Sequence, residues 1–265
     1  MRRAAAVFLI ALFVILLLAD FVAPYSFAEQ FRDIPNALPS HSHLLGTDAL
    51  GRDRLSRLIY GARASMLLAP AAGLLSVLLA LGLALLAAVA GRWWEHAILA
   101  AADLCLSLPW FFLLLAARAL LPLNTPATAA AIITFALLGV LGWAAPARVM
   151  VASVRQFLQS DFILLAQASG CGRVRLAFIH LAPNLTPLLV AQFLIATPSY
   201  LLAEASLGLL GLGIPEPVPS WGGLLRELEN VSAIAANPWV LVPAFLLIFV
   251  VGCFHLVVSA DKQVV

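Results

Sequence analysis

The chain has 265 residues, of which 63% are apolar and 11% are charged, and its formal net charge is +2. A water-facing surface cannot be built from so few charged residues. The composition therefore excludes an ordinary soluble domain and indicates a surface that faces lipid. The arginines are scattered and form no basic stripe, so no nucleic acid partner is expected.

The cysteines and the single lysine limit the kinds of site that this chain can contain. Cys105, Cys171 and Cys253 are isolated and odd in number, so they fit neither a disulfide framework nor a zinc pattern. The single lysine, Lys262, is followed by Gln263, whereas a phosphate-binding P-loop requires Gly-Lys-Ser/Thr. We therefore predict no catalytic residue, no metal site and no cofactor in this chain. If the protein uses ATP, a separate subunit must hydrolyse it.

The N-terminal segment predicts a first membrane helix. Arg2 and Arg3 precede an apolar run at 4–19, which is typical of a helix whose N-terminus is cytoplasmic. A cleaved signal peptide is the alternative, with residues 26–28 as the cleavage site. Because the rest of the chain is apolar enough to be embedded in the membrane, we favour a retained helix.

Residues 24–65 are the most polar part of the chain and predict an irregular external loop, with a short surface helix at residues 50–59. His41 and His43 have no third ligand nearby in the sequence, so a metal site is a weak interpretation. We expect both histidines to be solvated.

Five further apolar segments complete a prediction of about six membrane helices. These spans are 66–90, 97–121, 127–150, 185–207 and 239–258. The resulting topology places eight basic residues inside and seven outside, or eight against two when the long loop at 24–65 is left out. The positive-inside rule therefore supports cytoplasmic termini and a cytoplasmic segment at 160–184.

Residues 160–184 predict a helical hairpin at the membrane surface. Asp161 suits the start of a helix, Gly170 and Gly172 suit a turn, and Pro183 is expected to end the second helix. Helical spacing relates two apolar sets: Phe162, Leu165, Ala166 and Ser169 in the first helix, and Val174, Ala177, Phe178 and Leu181 in the second. Such a hairpin either docks on a partner protein or simply connects two spans.

Three ionisable residues lie in or near the spans, where an unpaired charge is costly. Asp103 lies close enough to the inner end of its span to reach water, and Arg118 is expected to snorkel to the outer surface. Glu204 precedes Gly208, Gly211 and Gly213, where backbones can approach closely. A pathway or gate role for these four residues and a structural helix contact both remain open.

Three stretches in unbroken order resemble one family, the inner-membrane permease subunits of binding-protein-dependent ABC transporters that import dipeptides, oligopeptides or nickel. The first is HLLGTDALGRDRLSRLIYGARAS at 43–65, and the last is EASLGLLGLGIPEPVPSWG at 204–222. Between them, the 160–184 hairpin occupies the position of the family's EAA loop. The first stretch is similar to an external signature whose residues here are Gly46, Thr47, Asp48, Gly51, Arg52, Asp53, Ser56 and Arg57.

The resemblance implies an all-α polytopic membrane protein with the type I ABC importer permease (MetI-like) fold. It implies an N-terminal helix and external loop at 1–65 and a permease domain at 66–265, in the bacterial inner membrane. The implied partners are a homologous permease subunit forming a heterodimer, two cytoplasmic ATP-binding subunits, an extracytoplasmic substrate-binding protein and membrane lipid. The implied ATPase-coupling residues are Asp161, Phe162, Leu165, Ala166, Gly170, Arg173, Arg175, Phe178 and Pro183.

The chain departs from the family pattern at several positions. The loop's Glu-Ala-Ala is Leu164-Leu165-Ala166 here, so the glutamate is missing, although Gly170 retains the loop glycine. Gly208-Leu209 stands where Ser-Phe is usual, and we expect the acidic tail typical of this branch to be missing. Coupling must then depend on shape and apolar contact.

The leading function is therefore a permease of an ATP-driven importer for dipeptides or oligopeptides, with nickel import as the alternative. An ion-driven secondary transporter would need ionisable groups near mid-membrane, and only Asp103, Glu204 and His255 are available. A membrane-embedded enzyme ranks last, because no paired Ser/His or carboxylate motif occurs at catalytic spacing.

Overall fold

The computed structural model describes residues 2–119, 122 and 125–259; the regular elements of this part of the chain are helices, joined by irregular loops such as that at 23–53. The chain divides into two compact units. Unit one comprises Met1–Pro70, Arg118–Phe135 and Thr197–Val265, and unit two comprises Ala71–Ala117 and Ala136–Ala196. The predicted division at residues 65 and 66 remains a prediction, although one helix runs through it.

Thirteen α-helices are described, together with one π-helical and two 3-10 segments. The first seven are α1 (Arg2–Leu17), α2 (Ala19–Val22), α3 (Arg54–Ala90), α4 (Arg92–Ser107), α5 (Trp110–Ala119), α6 (Ala127–Leu141) and α7 (Ala144–Phe157). The others are α8 (Asp161–Ala168), α9 (Arg173–Arg175), α10 (Ala182–Leu209), α11 (Trp221–Leu225), α12 (Val231–Ala236) and α13 (Val242–Ser259). The π-helix is Leu176–Leu181, and the 3-10 segments are Arg226–Glu229 and Pro238–Leu241.

Four helical stretches are long and apolar enough to cross a membrane, and the count is five if a bent pair forms one span. The four are Arg54–Ala90, Ala127–Phe157, Arg173–Leu209 and Pro238–Val258. The pair around Pro109 bends by 81°, because the residue before a proline favours extended backbone and Leu108 adopts it. Helix α1 has 16 residues, so the predicted total of about six holds only if α1 and the bent pair each cross the membrane.

In unit one, the N-terminal helix packs against the last one. The rings of Phe8 on α1 and Phe249 on α13 meet edge to face, with centroids 4.8 Å apart. Asp20 then accepts hydrogen bonds from Tyr60 at 3.0 Å and from Arg63 at 2.9 Å. These contacts favour a retained first helix, which stays a prediction.

Unit two has a continuous apolar core. It buries side chains from α3, α7, α8, the π-helix and α10, among them Val77, Met150, Ile163, Leu181 and Leu185. Ion pairs reinforce the same unit: Arg148 pairs with Asp103 at 2.9 Å, and Arg155 pairs with Glu95. Asp103 is exposed, and its expected access to water stays a prediction.

Two predicted boundaries are wrong. The helix expected at residues 50–59 begins at Arg54 and continues as α3 to Ala90. The second hairpin helix does not end at Pro183 but runs on as one helix from Arg173 to Leu209. A proline cannot donate a helical hydrogen bond and crowds the preceding turn. The π-helical turn at Leu176–Leu181 precedes Pro183 and widens the helix there.

Candidate functional site

The external signature forms a tight turn that leads into α3. Gly46 and Gly51 have φ values of +73° and +74°, a region that favours glycine. A Cβ atom on Gly51 would lie 2.2 Å from the carbonyl oxygen of Phe31, and one on Gly46 would lie 2.2 Å from that of Ala37. The backbone of the preceding loop therefore passes too close to either position for any other residue.

Asp53 is the N-terminal cap of α3. Its Oδ2 accepts hydrogen bonds from the Ser56 backbone N–H at 2.7 Å and from the Ser56 hydroxyl at 2.8 Å. Its Oδ1 lies 2.9 Å from Nδ1 of His43, and both side chains are buried. The prediction that both histidines are solvated is therefore wrong for His43, although His41 is exposed.

A cluster of buried charges on this turn, Asp48, Arg52 and Arg57, reaches an exposed carboxylate, Glu216, in the loop that follows α10. Arg52 contacts Asp48 at 2.7 Å and Glu216 at 2.7 Å, while Arg57 contacts the second oxygen of Glu216 at 2.8 Å. Burial favours the uncharged form of Glu216, but the Arg57 and Arg52 guanidinium groups outweigh it and hold the pKa of Glu216 below its ordinary value. Two signature stretches that lie far apart in the sequence thus meet at one carboxylate.

Thr47 and Arg54 complete the same turn. The Thr47 hydroxyl donates to the Ile34 carbonyl at 2.5 Å and accepts from the Ala37 N–H at 2.9 Å. Arg54 donates to the Thr47 carbonyl at 3.0 Å and pairs with Glu227. The Thr47 hydroxyl and the Arg54 guanidinium therefore both find their partners within the fold.

Glu204 lies inside unit one and is 0% exposed. Its Oε2 accepts a hydrogen bond from the Ser65 hydroxyl at 3.3 Å and from the Gly222 N–H at 3.2 Å. The Ser65 hydroxyl in turn accepts from the Trp221 N–H at 3.2 Å. Glu204 thus ties α10 to α3 and to the start of α11.

The glycines after Glu204 permit very close backbone contact. A Cβ on Gly208 would lie 2.2 Å from the carbonyl carbon of Gly222, and one on Gly213 would lie 2.7 Å from the Cα of Gly208. Gly211 has φ of +74°. The sequence predicted close approach at these residues, and their role in a pathway or gate stays a prediction.

Arg118 holds the loop beyond Gly211. It donates hydrogen bonds to the carbonyl oxygens of Leu212 and Gly213, each at 3.0 Å. The guanidinium is thus bound to the protein backbone, and the expected snorkelling of Arg118 to the membrane surface stays a prediction.

The segment predicted to couple to the ATPase, residues 161–183 and hereafter the coupling segment, lies in unit two. Unlike the signature turn, it exposes most of its large side chains. Helix α8 begins at Asp161, as predicted. Ile163 is 0% exposed and anchors α8 in the core, whereas Leu165 is 68% exposed and Phe162 and Leu164 are also exposed. The short helix therefore turns one apolar side chain inward and several outward.

The turn after α8 bends at Gly170, whose φ is +83°. Beyond it, Arg173 and Arg175 are exposed on α9, and Phe178 is exposed on the π-helix. Ala177 and Leu181 are buried in the same stretch, Ala166 is half-buried, and Pro183 is exposed on α10. Large apolar side chains such as Phe178 are thus exposed, and two exposed arginines, Arg173 and Arg175, lie near them in the sequence.

Comparison with known proteins assigns the family. A family model described as "Binding-protein-dependent transport system inner membrane component" matches residues 76–261. The chain belongs to this family. The protein is thus a multi-pass inner-membrane permease component of all-α fold, and family membership implies a substrate-binding protein and an ATPase as partners.

Named permeases are similar over most of their length. The chain is 36% identical to the di/tripeptide transport system permease protein DppC of Pseudomonas aeruginosa, over 81% of this chain and 71% of the relative. It is 29% identical to the dipeptide permease protein DppC of Bacillus subtilis, over 93% and 75%. It is 27% identical to the oligopeptide permease protein OppC of Haemophilus influenzae, over 97% and 81%.

Sequence reasoning missed several residues at these sites. Glu216 lies in the last of the family-like stretches, but the sequence assigns it no role, and it indicates none for Ser65, Gly222 or Ile163. A signal for Glu216 existed, since two signature arginines before a membrane helix need a carboxylate partner. No local pattern indicates that Ile163, rather than its apolar neighbours on α8, is the buried one.

Proposed function

We propose that this protein is the permease subunit of an ATP-driven importer that carries dipeptides or oligopeptides across the inner membrane. It would pair with a homologous permease as a heterodimer, with two ATPase subunits on the cytoplasmic side and a binding protein outside. The observation that carries the peptide assignment is the likeness, over most of the chain, to permeases named for di-, tri- and oligopeptides.

The uptake of labelled dipeptide and of nickel tests the substrate. A strain deleted for this gene is complemented with the wild-type chain, and both uptakes are measured. Restored dipeptide uptake without a change in nickel uptake is the expected result. Restored nickel uptake alone would contradict the peptide assignment.

The proposed topology places both termini and the coupling segment in the cytoplasm. Support comes from the count of basic residues, which is eight inside against two outside when the long loop at 24–65 is left out. The positive-inside rule gives most weight to short loops, so this count favours cytoplasmic termini.

The proposed mechanism is alternating access driven through α8. ATP-dependent closure of the ATPase subunits would move α8, because its exposed apolar side chains Phe162 and Leu165 seat on them. Ile163 is buried against residues of α7 and α10, so a displacement of α8 is transmitted to these helices. Coupling of this kind requires an element with two arrangements that the docked partner biases.

A pair of glycine variants tests this docking. Gly170 has φ of +83°, Gly172 has φ of −67°, and a Cβ would have open space at both positions. Gly170→Leu is therefore expected to distort the turn, and Gly172→Leu is not. We expect Gly170→Leu to insert normally but to lose transport and co-purification with the ATPase, while Gly172→Leu keeps both. Wild-type co-purification of Gly170→Leu would contradict the docking assignment.

A further inference from the structure

Two neighbouring cavities lie in unit one around the loop at residues 211–216. The first has a volume of about 350 Å³ and is lined by Arg118, Gly211, Ile214 and Arg226, among others. The second has about 360 Å³, and its lining includes Asp48, Arg52 and Glu227. Each is large enough for a small ligand. Glu216, Gly223 and Arg226 line both, so the two cavities meet at these residues.

Most arginines at these cavities are already engaged. Arg118 donates to the carbonyls of Leu212 and Gly213, Arg52 pairs with Asp48 and Glu216, and Arg54 pairs with Glu227. These contacts fix the cavity walls. They leave little free charge for a ligand.

Arg226 differs from them. Its side chain is exposed, and no ion pair or side-chain hydrogen bond of Arg226 occurs within residues 2–119, 122 and 125–259. The guanidinium lies over Gly211, 3.5 Å from the position that a Cβ atom would take there. Its backbone N–H bonds the carbonyls of Gly222 and Leu224, so α11 holds Arg226 at the cavity wall.

The carboxylates nearby do not neutralise Arg226. Glu216 shares its two oxygens between Arg52 and Arg57, and Glu227 pairs with Arg54. A guanidinium at a cavity wall favours an anion, and a carboxylate matches its planar donors with two parallel hydrogen bonds. A peptide of any sequence carries such a carboxylate at its C-terminus.

We infer that Arg226 binds the C-terminal carboxylate of the peptide as it passes through the permease. The inference rests on the proposed function and adds to it a contact that is independent of peptide side chains. A single such contact would serve substrates of differing sequence, because it recognises only the group that all of them share.

The test uses the complete transporter in proteoliposomes, with its partner permease, ATPase subunits and saturating binding protein loaded with a labelled dipeptide. Peptide uptake and ATP hydrolysis are measured together. A charge-assisted hydrogen bond strengthens binding by roughly tenfold. Because Arg226→Gln removes this bond, the number of peptides moved per ATP should fall roughly tenfold. Arg226→Lys, which retains the charge, should recover part of the loss. Arg32→Gln is the matched control, since Arg32 is also an exposed arginine of unit one and does not line these cavities.

Each other outcome contradicts the inference. An unchanged peptide-to-ATP ratio in Arg226→Gln would overturn it. In a separate titration with the binding protein, a rise in the concentration needed for half-maximal ATP hydrolysis would show that Arg226 contacts a carboxylate of the binding protein instead. Failure of the complex to assemble would assign Arg226 to the fold. If the wild-type complex moves no dipeptide, the proposed function fails as well, whereas wild-type transport with an unaffected Arg226→Gln variant removes only this inference.

Discussion

The external signature turn and the coupling segment carry the strongest motifs of the chain, yet they use their residues in opposite ways. At residues 43–57, most charged and hydroxyl side chains are buried, and they bond to one another, to the preceding loop, or to Glu216 and Glu227. At residues 161–183, the charged side chains Asp161, Arg173 and Arg175 and most large apolar ones face outward.

This difference suggests different roles for the two regions: the signature turn stabilises the fold, and the coupling segment offers a surface to a partner. A buried polar group that has its partners contributes to the fold and becomes costly when one partner is removed. An exposed apolar side chain contributes little to the stability of the isolated chain and is available to a second protein. Substitutions in the first region should therefore change stability, and those in the second should change association.

The largest effect is expected for Asp53→Ala. This change leaves His43, the Ser56 hydroxyl and the Ser56 N–H without their buried partner, and each such group costs about 1–3 kcal/mol. We expect loss of folded protein from the membrane, measured by its amount and its thermal unfolding in detergent. Asp33→Ala is the control, because Asp33 is exposed. Equal stability of the two variants would contradict the architectural role.

An intermediate effect is expected on α8, where neighbouring residues face opposite ways. Leu165→Asp should lower ATPase co-purification and transport at least tenfold in line with loss of an apolar anchor, without changing the unfolding temperature of the chain. Ile163→Ala should lower that temperature, because removing buried isoleucine atoms costs about 2–5 kcal/mol. The assignment of faces on α8 is wrong if the two variants exchange these effects.

The smallest effect concerns pH and Glu216. Because Arg57 and Arg52 hold the pKa of Glu216 below its ordinary value, this group stabilises the folded state above about pH 4.3, and the stabilisation is lost as pH falls through the lowered value. Glu216 is 59% exposed, so solvent reduces the effect. Unfolding temperatures measured from pH 7 to pH 3 should show the wild type losing its advantage over Glu216→Gln at the acid end.

The control for this titration is Glu229→Gln. Glu229 is exposed and should leave the acid limb of the wild type unchanged. A gap between wild type and Glu216→Gln that stays constant down to pH 3 would show that the guanidinium contacts do not depend on the charge of Glu216.

Local signals were sufficient for several features. The start of α8 at Asp161 and the bend at Gly170 followed from residue preferences that act within one turn. The membrane class followed from composition. The prediction that the helix ends at Pro183 was wrong. Local propensity treats proline as a helix breaker, but the π-helical turn before Pro183 lets the helix continue through it.

Contacts between distant residues were beyond these signals. The Arg52–Glu216 pair joins positions 164 residues apart, and the burial of His43 depends on Asp53 and on the loop that packs over it. The sequence marks Arg52 as part of a family-like stretch, but it does not indicate which carboxylate Arg52 meets or that Arg226 meets none among the described residues.

The sequence by itself determined that this chain is a helical membrane protein of one transporter family, because apolar length and motif order are properties of the linear chain. Only the tertiary structure decided which motif residues are bound within the fold and which are left exposed. Whether a side chain is buried and bonded depends on which segments meet in space. Here the side chains of the signature turn are mostly buried and bonded, whereas α8 exposes Phe162 and Leu165 and Arg226 has no side-chain partner among the described residues.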